Sequence, residues 1–444
     1  MRSYPKYKPS GIDGLSDIPS HWIFNYFKRF VFFQEGPGLR HWQFKEKGTK
    51  VICVTNITEN GIDFSSFTKY ISEEEYLENY RHFTVKKGDL LLASSGASWG
   101  KIAEFNSDEV VILNTSTIRL NSRKDKINRR FLRWLLNSSY INDQLSVLIT
   151  GSCQPNFGPT HLSKLEIAIS ESNKEQQQIA DFLDYKTEQC DRFIANRQKQ
   201  IELLNEQKAS IINKAVTKGI NPNAKMKPSG IDWLPEVPAD WDVWKMTRLC
   251  KKIGDGLHGT PVYEEGSGIF FINGNNLSDG NIEINENTKE IEPNHFEVIK
   301  KNILIGSILF SINGTIGSNA IYKGENILLS KSAAFFECKS KIVNVYLLRY
   351  LTSNSVLNYL HSTTEGTTIK NISLDTLRNL KIPLPSNPEQ QQILDFIKKE
   401  TSTIETLISK YQKQIELMQE YRTALISQAV TGKIDVREWK PKTK

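Results

Sequence analysis

Two stretches of the chain carry apolar residues on one helical face. The first has Ile179, Leu183, Cys190, Ile194, Ile201, Leu204, Ile211 and Ala215; the second has Ile393, Ile397, Ile404, Ile408, Ile415, Met418, Leu425 and Ala429. Steps of three and four combine into a heptad seam, the pattern by which one helix packs along another. Ser172 and Glu175, like Ser386 and Glu389, have the S-x-x-E spacing of a capping box. Pro388 sits where a first-turn proline is tolerated. Gly219 and Gly432 follow as terminators. Each helix therefore runs about 60 Å at 1.5 Å per residue. Arg197, Lys208 and Arg422 interrupt the stripe. A helix lying on a globular core would carry a similar stripe. Two long helices matched position by position are instead expected to pair with each other.

Outside these stretches the apolar runs are short and punctuated by Gly, Asn and Ser, as in strands. They are Val51–Ile57, Asp89–Ser94, Val110–Leu120, Ile269–Asn273 and Ile308–Ile312. Helical stretches at Asn128–Asn137 and Val345–Leu351 lie between them. The fold class expected is α+β.

The two patterns belong to one internal repeat. KPSGIDGLSDIPSHW (Lys8–Trp22) returns as KPSGIDWLPEVPADW (Lys227–Trp241), and EQQQIADFL (Glu175–Leu183) as EQQQILDFI (Glu389–Ile397). QKQIEL at Gln198–Leu203 returns at Gln412–Leu417, and AVT at Ala215–Thr217 returns at Ala429–Thr431. Between these anchors the halves diverge. Gly88–Phe105 only resembles Gly306–Tyr322, and Asn156–Ile169 only resembles Asn371–Leu384. A closely kept helix beside a divergent globular part points to a shared scaffold carrying two distinct specificities. Simple drift after duplication is the plainer alternative. The expected organisation is a globular domain over 1–170, a long helix over 171–222, a second domain over 223–385, and a second helix with a tail over 386–444. The termini of a compact domain lie close together. The end of one helix then meets the start of the other, so the helices run antiparallel with one domain at each end, in a dumbbell of approximate two-fold symmetry.

Composition adds limits. With 39% hydrophobic and 24% charged residues, the chain has ordinary globular proportions. A net charge of +7 fits contact with a polyanion over part of the surface without demanding it. Five scattered cysteines form no CxxC or Cys/His cluster, so neither a disulfide frame nor a metal site is expected. The opening MRSYPKYKPSG has no apolar stretch behind its charges and does not read as a secretory signal; a reduced cytoplasm is the expected compartment. Catalytic signatures are also missing. There is no NPPY or DPPY motif for amino-methyl transfer. Gly96–Lys101 resembles a phosphate loop but lacks one spacer residue, and Ile102 follows where Ser or Thr belongs. Gly254–Gly259 formally matches GxGxxG, yet Pro261 follows and no helix opens there.

What remains is a supply of polar and basic side chains on turns, the types that read base edges and phosphates. In the first domain the candidates are Arg40, Gln43, Lys45, Ser95, Ser98, Lys101, Asn114, Ser116, Thr117 and Gln154. In the second they are His258, Thr260, Tyr263, Asn275, Asn313, Thr315, Lys331, Ser332, Thr368 and Lys370. For many of these, an ordinary solvated loop residue is the plainer reading.

The repeated KPSGID…P…W openings, GDLLLASSGASWGKIA, DGLHGTP, the lead-ins to EQQQI and the two heptad helices occur in the order domain–helix–domain–helix. In that order, nearly end to end, the chain resembles the specificity subunits of Type I restriction-modification systems. The resemblance implies two target-recognition domains, each reading one half of a split double-stranded DNA site, with the helical pair setting the gap. It implies a non-catalytic subunit that binds no cofactor itself. Two methyltransferase (modification) subunits would supply S-adenosylmethionine and adenine N6 methylation. Two motor-nuclease (restriction) subunits would supply ATP and Mg-dependent cleavage. Ser307 stands where the first half has the acid of its GDLLLASSG signature, so contact residues carry over less directly to the second domain. A stand-alone nuclease or methyltransferase, and a coiled-coil scaffold whose ends bind proteins, are the competing classes.

Overall fold

The computed structural model describes residues 2–58, 61–149, 156–364 and 370–441. The chain divides into two compact units, Met1–Arg197 with Lys413–Lys444, and Gln198–Gln412. The boundary falls inside both long helices, Asn173–Lys218 and Asn387–Val430, so each unit holds the start of one helix and the end of the other.

The first unit is built on an antiparallel sheet ordered Ile102–Glu104, Leu90–Ala93, Thr117–Ser122, Val31–Glu35. Residues alternate faces along a strand, and here both faces are covered. Leu90 and Leu92 enter one apolar cluster with Phe131 and Leu135, while Leu91 and Ala93 enter another with Ile52, Val111 and Leu113. That is why the run Leu90–Ala93 is apolar without interruption. A second sheet holds Lys69–Ile71, Thr49–Ile52, Val111–Leu113 and Thr84–Val85, with Thr49–Ile52 and Val111–Leu113 parallel. The single apolar run Val110–Leu120 is thus two strands in different sheets, split by a turn at Asn114–Ser116.

The second unit repeats the plan. Its sheet runs Cys250–Asp255, Ala333–Cys338, Ile308–Ser311, Asn319–Ile321, again with faces divided between two clusters. Phe270–Ile272 pairs in parallel with Ile327–Leu329, the counterpart of the second sheet. The halves thus share an α+β architecture, with two such units joined by long helices. Among the described residues, no helix is long and apolar enough to cross a membrane.

The repeated opening motif has a structural reason. In the first unit Trp22 is fully buried, and its indole Nε1–H donates to Glu175 Oε1 at 3.0 Å, in the first turn of the first long helix. The same indole faces Gly432, where the second helix ends with φ +73°; a Cβ there would stand 2.5 Å from Pro19 and 3.3 Å from Trp22. In the second unit Trp241 Nε1 donates to Glu389 Oε1 at 2.9 Å and packs at Gly219, φ +74°, the end of the first helix. One tryptophan per unit therefore ties a helix start to a helix end. This corrects the capping-box expectation in part. The Ser172 and Ser386 hydroxyls do accept the Glu175 and Glu389 backbone N–H groups, each at 3.4 Å. The glutamate carboxylates, however, turn to the tryptophans instead of back to the cap.

The helical segments are antiparallel within each unit. In the first, Asp191 pairs with Arg422 at 2.9 Å, while Ile179 and Leu183 share a core with Leu425, Ile426, Ala429 and Val430. In the second, Lys208 pairs with Glu405 at 2.7 Å, while Ile212, Ala215 and Val216 share a core with Ile393 and Ile397. Lys208 and Arg422, which interrupt the apolar stripe, are thus ion-pair partners across the helices. The seam is not uniform. Ile179, Leu183, Cys190, Ile393, Ile397, Ile404 and Leu425 are buried, the outermost of them inside the globular cores, whereas Ile194, Ile201, Leu204, Ile211, Ile408, Ile415 and Met418 are half-buried.

The two tryptophan clamps differ in strength. Glu175 accepts from Tyr4 OH (2.7 Å), Ser170 Oγ (2.6 Å) and Trp22, with His21 Nε2 at 2.8 Å, whereas among the described residues the Glu389 carboxylate accepts from Trp241 alone. Burial alone would raise the Glu175 pKa, but the hydrogen bonds from Ser170, Trp22, Tyr4 and His21 outweigh it and hold the carboxyl below the usual range. A depressed carboxylate contributes stability that is full above its unfolded value, about 4.3, and lost as pH falls through its folded value. Glu175→Gln is expected to cost about 1.5–3 kcal/mol at neutral pH, and Glu389→Gln about 1 kcal/mol. Calorimetric melting should also show Glu175→Gln losing less on acidification than the parent chain. Equal losses from the two variants would count against the four-donor shell as the difference.

Candidate nucleic-acid interface

The central strands Leu90–Ala93 and Ile308–Ser311 are buried throughout, and the turns at one end of each sheet bring exposed polar side chains together. In the first unit, the strand Val31–Glu35 runs into Gly36, whose N–H donates to Thr117 O at 3.0 Å. A Cβ on Gly36 would stand 2.3 Å from the Asn114 carbonyl oxygen, so only glycine permits this approach. The Asn114 N–H bonds Ile52 O at 3.1 Å, which docks the Asn114–Ser116 turn onto the end of Thr49–Ile52. Ser116 sits at φ 60°, uncommon outside glycine, and its N–H donates to Glu35 Oε1 at 3.0 Å. Ser94 N–H reaches Ser116 O at 2.9 Å, Ser95 pairs with Asn156, and Phe157 N–H donates to Ser94 O at 3.1 Å. Four turns from separate parts of the chain are thereby locked together, mainly by backbone bonds, which leave the outward side chains free to vary.

The second unit builds the same cluster from different residues. Gly256 N–H donates to Ala333 O at 3.2 Å, and Ser330 N–H to Ile272 O at 2.9 Å. A Cβ on Gly256 would stand 2.1 Å from Leu329 O. Asn313 pairs with Asn371, and Ile372 N–H donates to Ile312 O at 2.9 Å. Gly274 N–H donates to Ser332 Oγ at 2.9 Å, and Ser311 Oγ lies 3.1 Å from Thr315 Oγ1. At most matching places the side chains differ: Asn114 and Thr115 correspond to Ser330 and Lys331, and Ser95 to Asn313, whereas Ser116 and Ser332 are the same.

Of the sequence candidates, the first cluster gathers Ser95, Ser98, Lys101, Asn114, Ser116 and Thr117, and the second gathers Asn275, Asn313, Thr315, Lys331 and Ser332. Lys331, Asn275 and Thr315 are exposed, as is Lys370 beside Asn371. His258 is exposed next to Gly256, with Nε2 2.6 Å from Asp255. Thr260 is exposed, and Tyr263 lies further along, bridged to Ile291 with Lys289 over its ring at 4.6 Å. Gln43 falls on a separate short turn, His41–Gln43, with Arg40 capping it and Lys45 just beyond. Gln154 and Thr368 lie outside the described residues.

Three candidates turn inward. Thr117 is fully buried, with its hydroxyl on Asn114 O at 2.5 Å. Asn114 is 9% exposed, its amide against Cys53 Sγ at 3.6 Å. Gln43 is 6% exposed, with its amide on Tyr80 and Glu75. Their burial turns them toward shaping the turns instead of the surface: Thr117 and Gln43 have their polar groups engaged inside, and Asn114 has its amide nitrogen engaged while its Oδ1 is buried without a partner. Burial pushes the Cys53 thiol pKa up against smaller opposing pulls from Asn114 and Lys69, leaving a neutral packing group there. Sequence reasoning missed Glu35 and Asp255, the carboxylates before the close-packed glycines, and missed Asn156 and Asn371. Superposing the halves exposes the signal, because Glu35-Gly36 and Asp255-Gly256 are each an acid followed by glycine. Among the described residues, no group of three or more His, Cys, Asp or Glu could hold a metal.

Comparison with known proteins agrees with this doubled plan. The family described as Type I restriction modification DNA specificity domain matches residues 23–203 and 238–417, once per half. The putative type I restriction enzyme MjaX specificity subunit of Methanocaldococcus jannaschii is 26% identical over 434 residues, 95% of this chain and 96% of its own. The MjaVIII specificity subunit of the same organism is 25% identical, over 80% of this chain and 81% of its own. A solved chain from work on complex assembly and conformational transition of the type I R-M system superposes with a TM-score of 0.65. At 15% identity it covers 94% of this chain and 99% of that one, a likeness of fold.

The close approaches give a local test. Gly36→Ala and Gly256→Ala are each expected to destabilise their own unit by about 1–3 kcal/mol through overpacking. Faster hydrogen exchange is expected at Asn114 in the first variant and at Ser330 in the second. Gly38→Ala and Gly259→Ala, where a Cβ meets nothing within 4 Å, serve as controls. Controls as damaging as the close-packed sites would refute the packing account.

Proposed function

Because this chain belongs to the Type I restriction-modification DNA specificity family, we propose that its two units are target-recognition domains, each reading one half of a bipartite double-stranded DNA site. The single observation that carries this reading is the loop cluster built twice on the same backbone bonds with different side chains. A reader of two unlike half-sites needs such a device: common turns for placement and variable side chains for base edges. Ser95, Ser98, Lys101 and Ser116 are the proposed contacts of the first domain, with Arg40 and Lys45 on its flank. Asn275, Asn313, Thr315, Lys331, Ser332 and Lys370 are those of the second, with His258 beside them.

In this reading the paired long helices set the gap between half-sites, as the spacing of linked readers does in dimeric regulators. The chain itself is non-catalytic and binds no cofactor. It directs two modification subunits, which hold S-adenosylmethionine and methylate adenine, and two restriction subunits, which use ATP and Mg2+ to cut. The assembly acts in the cytoplasm, on the DNA it marks.

Sequencing of modified bases in the host genome, with the gene intact and deleted, tests the reading directly. A split motif is expected to lose N6-methyladenine on deletion. With the modification subunits present and active, an unchanged pattern would refute it. Exchanging one globular domain should change one half-site and leave the other; a change in both would mean the domains are not independent readers. Removing one heptad from each helix shortens it by about 10 Å with only about 20° of rotation. The gap is then expected to shrink by about three base pairs at 3.4 Å each. Altered half-sites with an unchanged gap would sink the spacer role.

A further inference from the structure

Trp42 is 73% exposed, against 45% for Phe67 and 44% for Tyr26 and Tyr421, the next most exposed aromatic residues described. The other seven tryptophans are buried or half-buried. A scattered exposed apolar residue needs no explanation, but this indole is held out by the structure around it. Gln43, its neighbour, is 6% exposed; it accepts the Arg40 N–H at 2.7 Å and donates to Tyr80 at 3.0 Å and to Glu75. Leu39 and Phe44 pack inward with Val51, Ile71 and Ile112, and Lys69 Nζ lies 4.2 Å over the Phe44 ring. With both flanks anchored, the turn His41–Gln43 can only present Trp42 to solvent.

Its surroundings are cationic and close to the loop cluster. Arg40 and Lys45 are exposed beside it, with Glu46 following, and Lys45 Nζ reaches Trp42 O at 3.4 Å. Trp42 is six positions along the chain from Gly36, which abuts Asn114, so the two lie at most about 22 Å apart. That is less than one turn of B-DNA, about 34 Å. In the second unit the segment after Gly256 offers no such group; Tyr263 is 39% exposed and already carries Lys289 on its ring.

We infer that Trp42 is an apolar wedge that stacks on or between bases of the half-site met by the first domain, with Arg40 and Lys45 on the adjacent phosphates. The inference rests on the DNA-reading function proposed above and assigns that domain a contact the second one lacks. Large side chains inserted at a base step unstack it locally and anchor the protein there, and an indole stacks on any base face. Trp42 therefore sets the position and deformation of the duplex, while the cluster reads base edges.

The test uses the full chain assembled with its modification subunits and duplexes of the methylated motif carrying 2-aminopurine at successive positions. Apart from the adenines that the modification subunits extrude for methylation, binding is expected to raise fluorescence at one step of the first half-site and at none of the second. Trp42→Ala should abolish that rise and weaken binding about 10-fold or more, Trp42→Phe should keep most of both, and the melting curves of all three should coincide. An unchanged rise and affinity in Trp42→Ala overturns the proposal. Loss of the modification subunits from Trp42→Ala in gel filtration also overturns it, since the indole would then be a protein contact. If the parent complex shows no salt-dependent binding to the duplex, the DNA-reading function itself fails and the wedge fails with it; if the parent binds and only the indole is silent, the function stands without it.

Discussion

A buried indole bonded to a glutamate is the contact on which each unit depends. Trp22 and Trp241 each hold the first turn of one long helix through Nε1–H and pack on the terminal glycine of the other. A helix start and a helix end are thereby fixed side by side in each core, with antiparallel direction as a consequence. The carboxylate would be costly to bury alone. It is tolerated because the indole and, in the first unit, Tyr4, Ser170 and His21 surround it. The polar clamp needs specific partners, which explains why KPSGID…P…W and EQQQ are among the most closely repeated segments of the chain.

The sheet next to the clamp performs a second task. Its central strands, covered on both faces, have little surface to vary without cost to the core. Variation falls mostly on the turns at its end, and these are held by backbone hydrogen bonds and by Gly36 and Gly256, where two segments of the backbone nearly touch. Side chains there can change with little penalty to folding. The difference between Thr115 and Lys331, or Ser95 and Asn313, is thus a difference in the side chains the cluster presents rather than in how it is built.

The long helices were legible because their signals are local: a stripe of fixed period, a serine before the first turn and a glycine after the last. The charges that break the stripe were not, since Lys208 and Arg422 find Glu405 and Asp191 only once the antiparallel pairing exists. The candidate site was legible in part. Residue type and turn context located Ser95, Asn313 and Lys331, but could not tell them from Thr117 or Gln43, which have the same polar character and point inward. Burial depends on neighbours from distant parts of the chain, so propensity alone does not carry it.

Repeat order, helix length and register, the α+β class and the absence of known catalytic motifs were all determined by the sequence itself, because each rests on spacing along the chain. The tertiary structure decided the rest. It split Val110–Leu120 between two sheets, turned Glu175 and Glu389 from their caps to the tryptophans, and joined turns some sixty residues apart into one cluster, as in Asn114 against Ile52. Those outcomes follow from which strands pair and which faces close, and hydrogen bonds between distant segments form only where the packed core has already brought them together.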